Sequence, residues 1–169
     1  MLVPIIALAL DTGVAGAQSD STVAFRASNV RGIWASGAGG FADGDFFNTI
    51  GLHLQRGRVE ISLRKDAVSP GGRDPTEAVG VLLGVAAPSA TWWHAATSLG
   101  VSHSTRTAYS VAAQGRQRES AVGVMLAADI ALRAGQRGGA GLGLTMATSR
   151  SDGLSYSAIA LEVSLGRWR

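Results

Sequence analysis

The side chains with the most chemical potential lie in Ser102-His103-Ser104-Thr105, followed after a polar stretch by Glu119. A hydroxyl, an imidazole and a carboxylate can serve as nucleophile, base and orienting acid in acyl transfer, provided the fold brings them within hydrogen-bond reach. His103 and Glu119 are therefore the candidate catalytic pair, with a nearby hydroxyl completing the set. The other two histidines, His53 and His94, offer no HxH or HExxH spacing, and the chain has no cysteine. A metal site needs three or four convergent ligands, so none is expected, and no cofactor is implied. The glycine-rich stretches 37–40 and 138–143 lack the GK[ST] ending of a phosphate loop, which leaves close strand packing as their purpose.

These residues must be held by elements, and the hydropathy pattern says which. Beyond Arg31 the apolar residues recur at every second position in eight segments, 32–41, 47–55, 59–65, 78–87, 91–103, 120–133, 140–148 and 154–167, separated by Gly, Pro, Asp and Ser clusters. The sixth is the one contested segment. Its composition favours helix, with Gly135 available as a C-cap, but Val122, Val124, Leu126, Ala128, Ile130 and Leu132 keep strict alternation, which favours strand. A chain of 169 residues with 46% hydrophobic side chains is neither disordered nor long enough for a sixteen-stranded porin.

The second face of each segment decides which way the apolar face looks. Ala78, Gly80, Gly84, Ala86, Gly141, Gly143, Ala158, Ala160, Ser164 and Gly166 are small, as the crowded interior of a narrow closed barrel requires. A soluble barrel would instead show Lys, Glu, Thr and Gln there. The same face carries His53, Glu60, Arg64, His94, Asp129, Arg133 and Glu162, whose opposite charges can pair in a polar lumen. The apolar residues then face lipid, and the fold class is an all-β, eight-stranded antiparallel up-and-down transmembrane barrel.

Aromatic residues cluster at segment ends, as they do in membrane barrels at the two water interfaces. Trp34, Trp92, Trp93 and Trp168 are assigned to one girdle and Phe41, Phe46, Phe47 and Tyr156 to the other. Short connections (56–58, 87–90, 134–139) alternate with longer ones (42–46, 66–77, 104–119, 149–153), the habit of barrels with short periplasmic turns and longer external loops. Both termini then lie in the periplasm. Residues 1–17 read as a signal peptide: 2–10 are apolar and Ala15-Gly16-Ala17 suits signal peptidase. No Lys or Arg precedes the apolar core, as a start assigned too far downstream would produce. Residues 18–30 read as an N-terminal periplasmic leader and 31–169 as the barrel.

The formal charge of +3 comes from scattered arginines with no basic run interleaved with aromatics, so nucleic acid is not an expected partner. Arg73, Arg106, Arg116, Arg118 and Arg150 fall in the external loops, where guanidinium groups would meet the phosphates of lipopolysaccharide.

Taken together, GIWASGAGGF, LHLQRGRVEISLR and SYSAIALEVSLGRWR resemble the small eight-stranded outer-membrane β-barrel proteins of Gram-negative bacteria, over residues 31–169. The resemblance implies residence in the outer membrane and insertion by the barrel-assembly machinery, which reads an aromatic-ended last strand. Here that aromatic is Trp168, followed by Arg169. A lipid A deacylase of this architecture is loosely similar around His103 and Glu119, but the position two after the histidine is Thr105 in place of serine. The leading expectation is a monomeric, non-enzymatic barrel with a structural or surface-interaction role, a filled lumen and no wide pore. The alternatives are an outer-membrane enzyme modifying lipid A or phospholipid, and a soluble periplasmic barrel enclosing an apolar ligand.

Overall fold

A computed structural model describes residues 31–69, 71, 75–87, 92–110, 115–134, 139–152 and 155–167. The signal peptide and leader assigned to residues 1–30, together with Arg73 and Trp168, lie outside the described residues. Eight strands follow one another: β1 (Arg31–Ala42), β2 (Asp45–Arg56), β3 (Val59–Ser69), β4 (Thr76–Ala86), β5 (Trp93–Ser110), β6 (Gly115–Arg133), β7 (Gly139–Ser151) and β8 (Tyr156–Arg167). Each pairs antiparallel with its sequence neighbours, and β1 closes on β8 from Ile33↔Arg167 to Ala42↔Ala158. The barrel has no free sheet edge, so every strand finds its backbone partners within the wall. The contested sixth segment is strand along its whole length.

Alternation sorts the side chains as the pattern requires. Leu83, Leu161, Leu165 and Leu126 are 61%, 65%, 62% and 48% exposed, while their chain neighbours on the other face, Leu82, Ala160, Ser164 and Ala127, are buried. The apolar surface is outside and the small or polar surface is inside. At Gly100 an added Cβ would lie 1.9 Å from the Val81 carbonyl oxygen, which shows how closely the strand backbones approach.

The connections depart from the expected asymmetry. The β1–β2 link is a two-residue turn, Asp43 and Gly44, both with positive φ (52° and 93°), the backbone of a type I′ hairpin. The opposite-end Gly57-Arg58 turn between β2 and β3 is just as tight, with Gly57 at φ 62°. Most of the expected 104–119 loop is strand: β5 and β6 run to 18 and 19 residues and stay paired up to Ser110↔Gly115. Strand pairing therefore continues past the point where hydrophobic alternation stops, because backbone hydrogen bonds need no apolar side chains.

Candidate functional site

The lumen holds a layered polar network. In the layer near the end where β1 starts, Glu60 bridges two imidazoles, with Oε1 2.8 Å from His53 Nδ1 and Oε2 3.2 Å from His94 Nε2. Ser36 Oγ lies 2.9 Å from His53 Nε2, so both ring nitrogens of His53 are engaged. Trp34 stacks on His53 with ring centroids 4.9 Å apart and planes 1° from parallel, and meets His94 edge-on at 5.2 Å. The Arg133 guanidinium sits 5.7 Å over the same indole. Register explains the gathering: Trp34 pairs with His53, and Glu60 pairs with Gln55, two residues along β2 on the same face.

The middle layer is organised by Arg64. Its Nε donates to Asp66 Oδ1 at 2.7 Å and its Nη1 to Thr145 Oγ1 at 2.9 Å, with Asp129 Oδ1 3.6 Å away. The Tyr156 hydroxyl donates to the other Asp66 oxygen at 2.6 Å, tying β8 to β3 across the barrel. Glu162 is buried on β8, two residues beyond Ala160, the register partner of Thr145. Toward the far end Phe47, Met125 and Leu82 fill the section, and the Ser102 and Ser149 hydroxyls lie 3.3 Å apart. Bulky side chains, ion pairs and hydroxyls thus line the interior of the described wall. Four carboxylates (Glu60, Asp66, Asp129, Glu162) share it with two guanidiniums and two imidazoles. Such an interior braces the wall, since Glu60 ties β3 to β2 and β5, Arg64 ties β3 to β7, and Tyr156 ties β8 to β3.

His53, Glu60, Arg64, His94, Asp129, Arg133 and Glu162 thus all point inward and five of them are joined by direct side-chain contacts at Glu60 and Arg64. Trp34, Ser36, Asp66, Thr145 and Tyr156 were not anticipated in this role. Asp66 lies at the next inward position after Glu60, Ser62 and Arg64, so extending the alternation by two residues reaches it.

Three of the girdle assignments need correction. Trp34, Phe47 and Tyr156 are 3%, 0% and 6% exposed, because each stands on the inward parity of its strand. Phe41 and Phe46 face outward at one rim, and Trp92 is exposed and Trp93 half-buried at the other. The catalytic pair is not assembled either. His103 is in register with outward-facing Val122, whereas Glu119, three residues earlier on β6, takes the opposite face and is ion-paired with Arg106 at 2.7 Å. The imidazole and the carboxylate lie on opposite sides of the wall. Among the described residues no group of three or more His, Cys, Asp or Glu could hold a metal. Of the loop arginines, Arg106 shares the Glu119 face, while Arg116, Arg118 and Arg150 are exposed on the outward parity.

A closed antiparallel barrel of eight strands, apolar outside and packed with ion pairs inside, defines the class of small membrane-spanning barrels. Solved structures place the fold more narrowly. The N-terminal barrel of Pseudomonas aeruginosa OprF matches with a TM-score of 0.58 at 11% identity, over 80% of this chain and 96% of that one. Neisserial surface protein A matches at 0.59 and 7% identity, over 80% and 96%. The Yersinia pestis attachment invasion locus protein Ail matches at 0.58 and 10% identity, over 83% and 99%. The chain has the fold of the small eight-stranded outer-membrane barrels. No protein-family model and no curated protein matches it by sequence.

Proposed function

We propose that this chain is a bacterial outer-membrane barrel with a structural or surface-interaction role, not an enzyme and not a wide pore. One observation carries the reading: a lumen blocked by the Trp34–His53–Glu60–His94 and Arg64–Asp66–Tyr156 groups inside an apolar exterior. A soluble barrel around an apolar ligand requires the reverse arrangement of faces. An enzyme built on His103 and Glu119 requires those side chains on one face, and they occupy two. With the termini in the periplasm, the long β5–β6 hairpin projects from the cell surface and is the element suited to meeting a partner. The barrel is placed in the membrane as a monomer by the assembly machinery.

Single-channel recording in planar bilayers tests the lumen. The filled barrel passes little or no current; large, stable conductance would contradict the reading.

A further inference from the structure

Ser36, His53 and Glu60 stand in line across β1, β2 and β3, and the atoms that meet are those a proton transfer needs. Ser36 Oγ is 2.9 Å from His53 Nε2, and His53 Nδ1 is 2.8 Å from Glu60 Oε1. A carboxylate only accepts, so the Nδ1 proton points at Glu60, and Nε2 keeps the lone pair that accepts from the Ser36 hydroxyl. The second Glu60 oxygen faces His94 Nε2 at 3.2 Å, which holds the carboxylate in place. Trp34 lies flat on the imidazole, 1° from parallel, and fixes the tilt of the ring. Nucleophile, base and orienting acid are therefore assembled in the lumen, although the fold separates His103 from Glu119.

Gly51 keeps the line open. It is the register partner of Ser36, and a Cβ there would lie 2.6 Å from His53 Nε2 and 2.8 Å from Ser36 Oγ. His53 and Glu60 are buried whereas Ser36 is half-buried, so the hydroxyl is the member of the group that a small molecule can reach. The inward Ser102, by contrast, meets the hydroxyl of Ser149, which is no base.

We propose that Ser36 is an activated nucleophile and a covalent modification site, taking one acyl group from a small activated ester. Ser36 Oγ bonds to the ester carbonyl carbon while its proton passes to His53 Nε2; the bond from that carbon to the leaving oxygen then breaks, and the proton departs on the leaving alcohol. The acyl group stays in place. Ser36 and Gly37 are paired on both sides, with β2 and β8, so their N–H groups serve the ladders and do not form an oxyanion hole. An ester with a good leaving group reacts without that help, and an ordinary lipid ester does not. The inference goes beyond the structural role and leaves it standing, since one acylation per chain is not turnover.

The test uses the full chain in dodecylmaltoside micelles treated with p-nitrophenyl acetate, nitrophenolate being followed by absorbance and the acetyl group located by peptide mass spectrometry. In wild type, release should end after about one equivalent, with acetyl on Ser36 ahead of the exposed Ser120 and Ser157. S36A should show no such burst, and H53Q should slow it at least roughly a hundredfold. G51A, whose new Cβ displaces only the ends of two side chains, should keep the fold and slow the burst at least roughly tenfold. Ser36 left unlabelled in wild type, labelling of Ser36 no faster than of Ser157, or an undiminished burst in H53Q or G51A would overturn the proposal, and continued release that S36A abolishes would overturn the single acylation. Each sample is also run on a gel with and without boiling. A heat-dependent shift in wild type with no label on Ser36 refutes the nucleophile alone, whereas no shift refutes the barrel beneath it; where a variant loses the shift, the site selectivity of wild type decides.

Discussion

Glu60 is the residue whose loss should be felt furthest, because two buried imidazoles on different strands depend on its carboxylate. Glu60→Leu leaves both facing nitrogens without a partner, and at about 1–3 kcal/mol for each stranded group the barrel should lose about 2–6 kcal/mol in urea unfolding from lipid vesicles. Glu60→Gln keeps one oxygen to accept and should recover part of that loss. A second pair of substitutions tests which aromatics are inside. Phe47→Ala should cost about 3–5 kcal/mol by opening a cavity, whereas exposed Phe46→Ala should stay within about 1 kcal/mol. The sequence contains this distinction: Ile50, Leu52 and Leu54 set the outward parity of β2, which sends Phe46 out and Phe47 in. The same counting turns Trp34 and Tyr156 inward. Nearness to a strand end states the height of a side chain in the wall, and only parity states its face. The cross-barrel contact of Tyr156 with Asp66 was beyond reach, since ninety residues separate the two and only closure joins them.

At the scale of elements, the wall tolerates change according to which surface receives it. Leu126 is outward in the middle of the apolar part of β6, so Leu126→Arg should cost about 2–4 kcal/mol in vesicle unfolding, while Ala128→Ser, two residues along on the same strand and only half-buried, should cost far less. Backbone proximity makes a separate prediction. Gly100→Ala must push apart β4 and β5, where the new Cβ would meet the Val81 carbonyl, and should destabilise by about 1–3 kcal/mol; Gly39→Ala, with nothing within 4 Å of its Cβ, should be nearly neutral. Strand number and order were legible because one face of every segment repeats at period two. The strand ends were not, because β5 and β6 continue as a paired ribbon through Thr105, Arg106, Arg118 and Glu119, where no apolar face marks them. The β1–β2 turn is written in the sequence: Asp43-Gly44 is the dipeptide a type I′ hairpin asks for, and it makes the expected 42–46 loop a two-residue link.

Over its described residues the molecule is an inverted protein, with buried polar groups gathered around a central axis and aliphatic ones displayed. That inversion is stable only where the outside meets hydrocarbon and the interior charges find one another, which the Glu60 and Arg64 clusters achieve. The candidate chemistry at His103 and Glu119 failed at this scale: proximity in sequence along a hairpin does not place two side chains on one face of a closed wall. Surface arginines are legible as a group, but closure divides them, turning Arg106 to the face of Glu119 and Arg116 and Arg118 to the outward one. The central claim is a closed barrel resident in the outer membrane, and gel mobility of the membrane-extracted chain before and after boiling tests it most directly. The chain should be recovered in the outer-membrane fraction and migrate differently until heated, because a sheet with no edge resists detergent. A chain found in the soluble periplasmic fraction, with the same mobility boiled or unboiled, would contradict it.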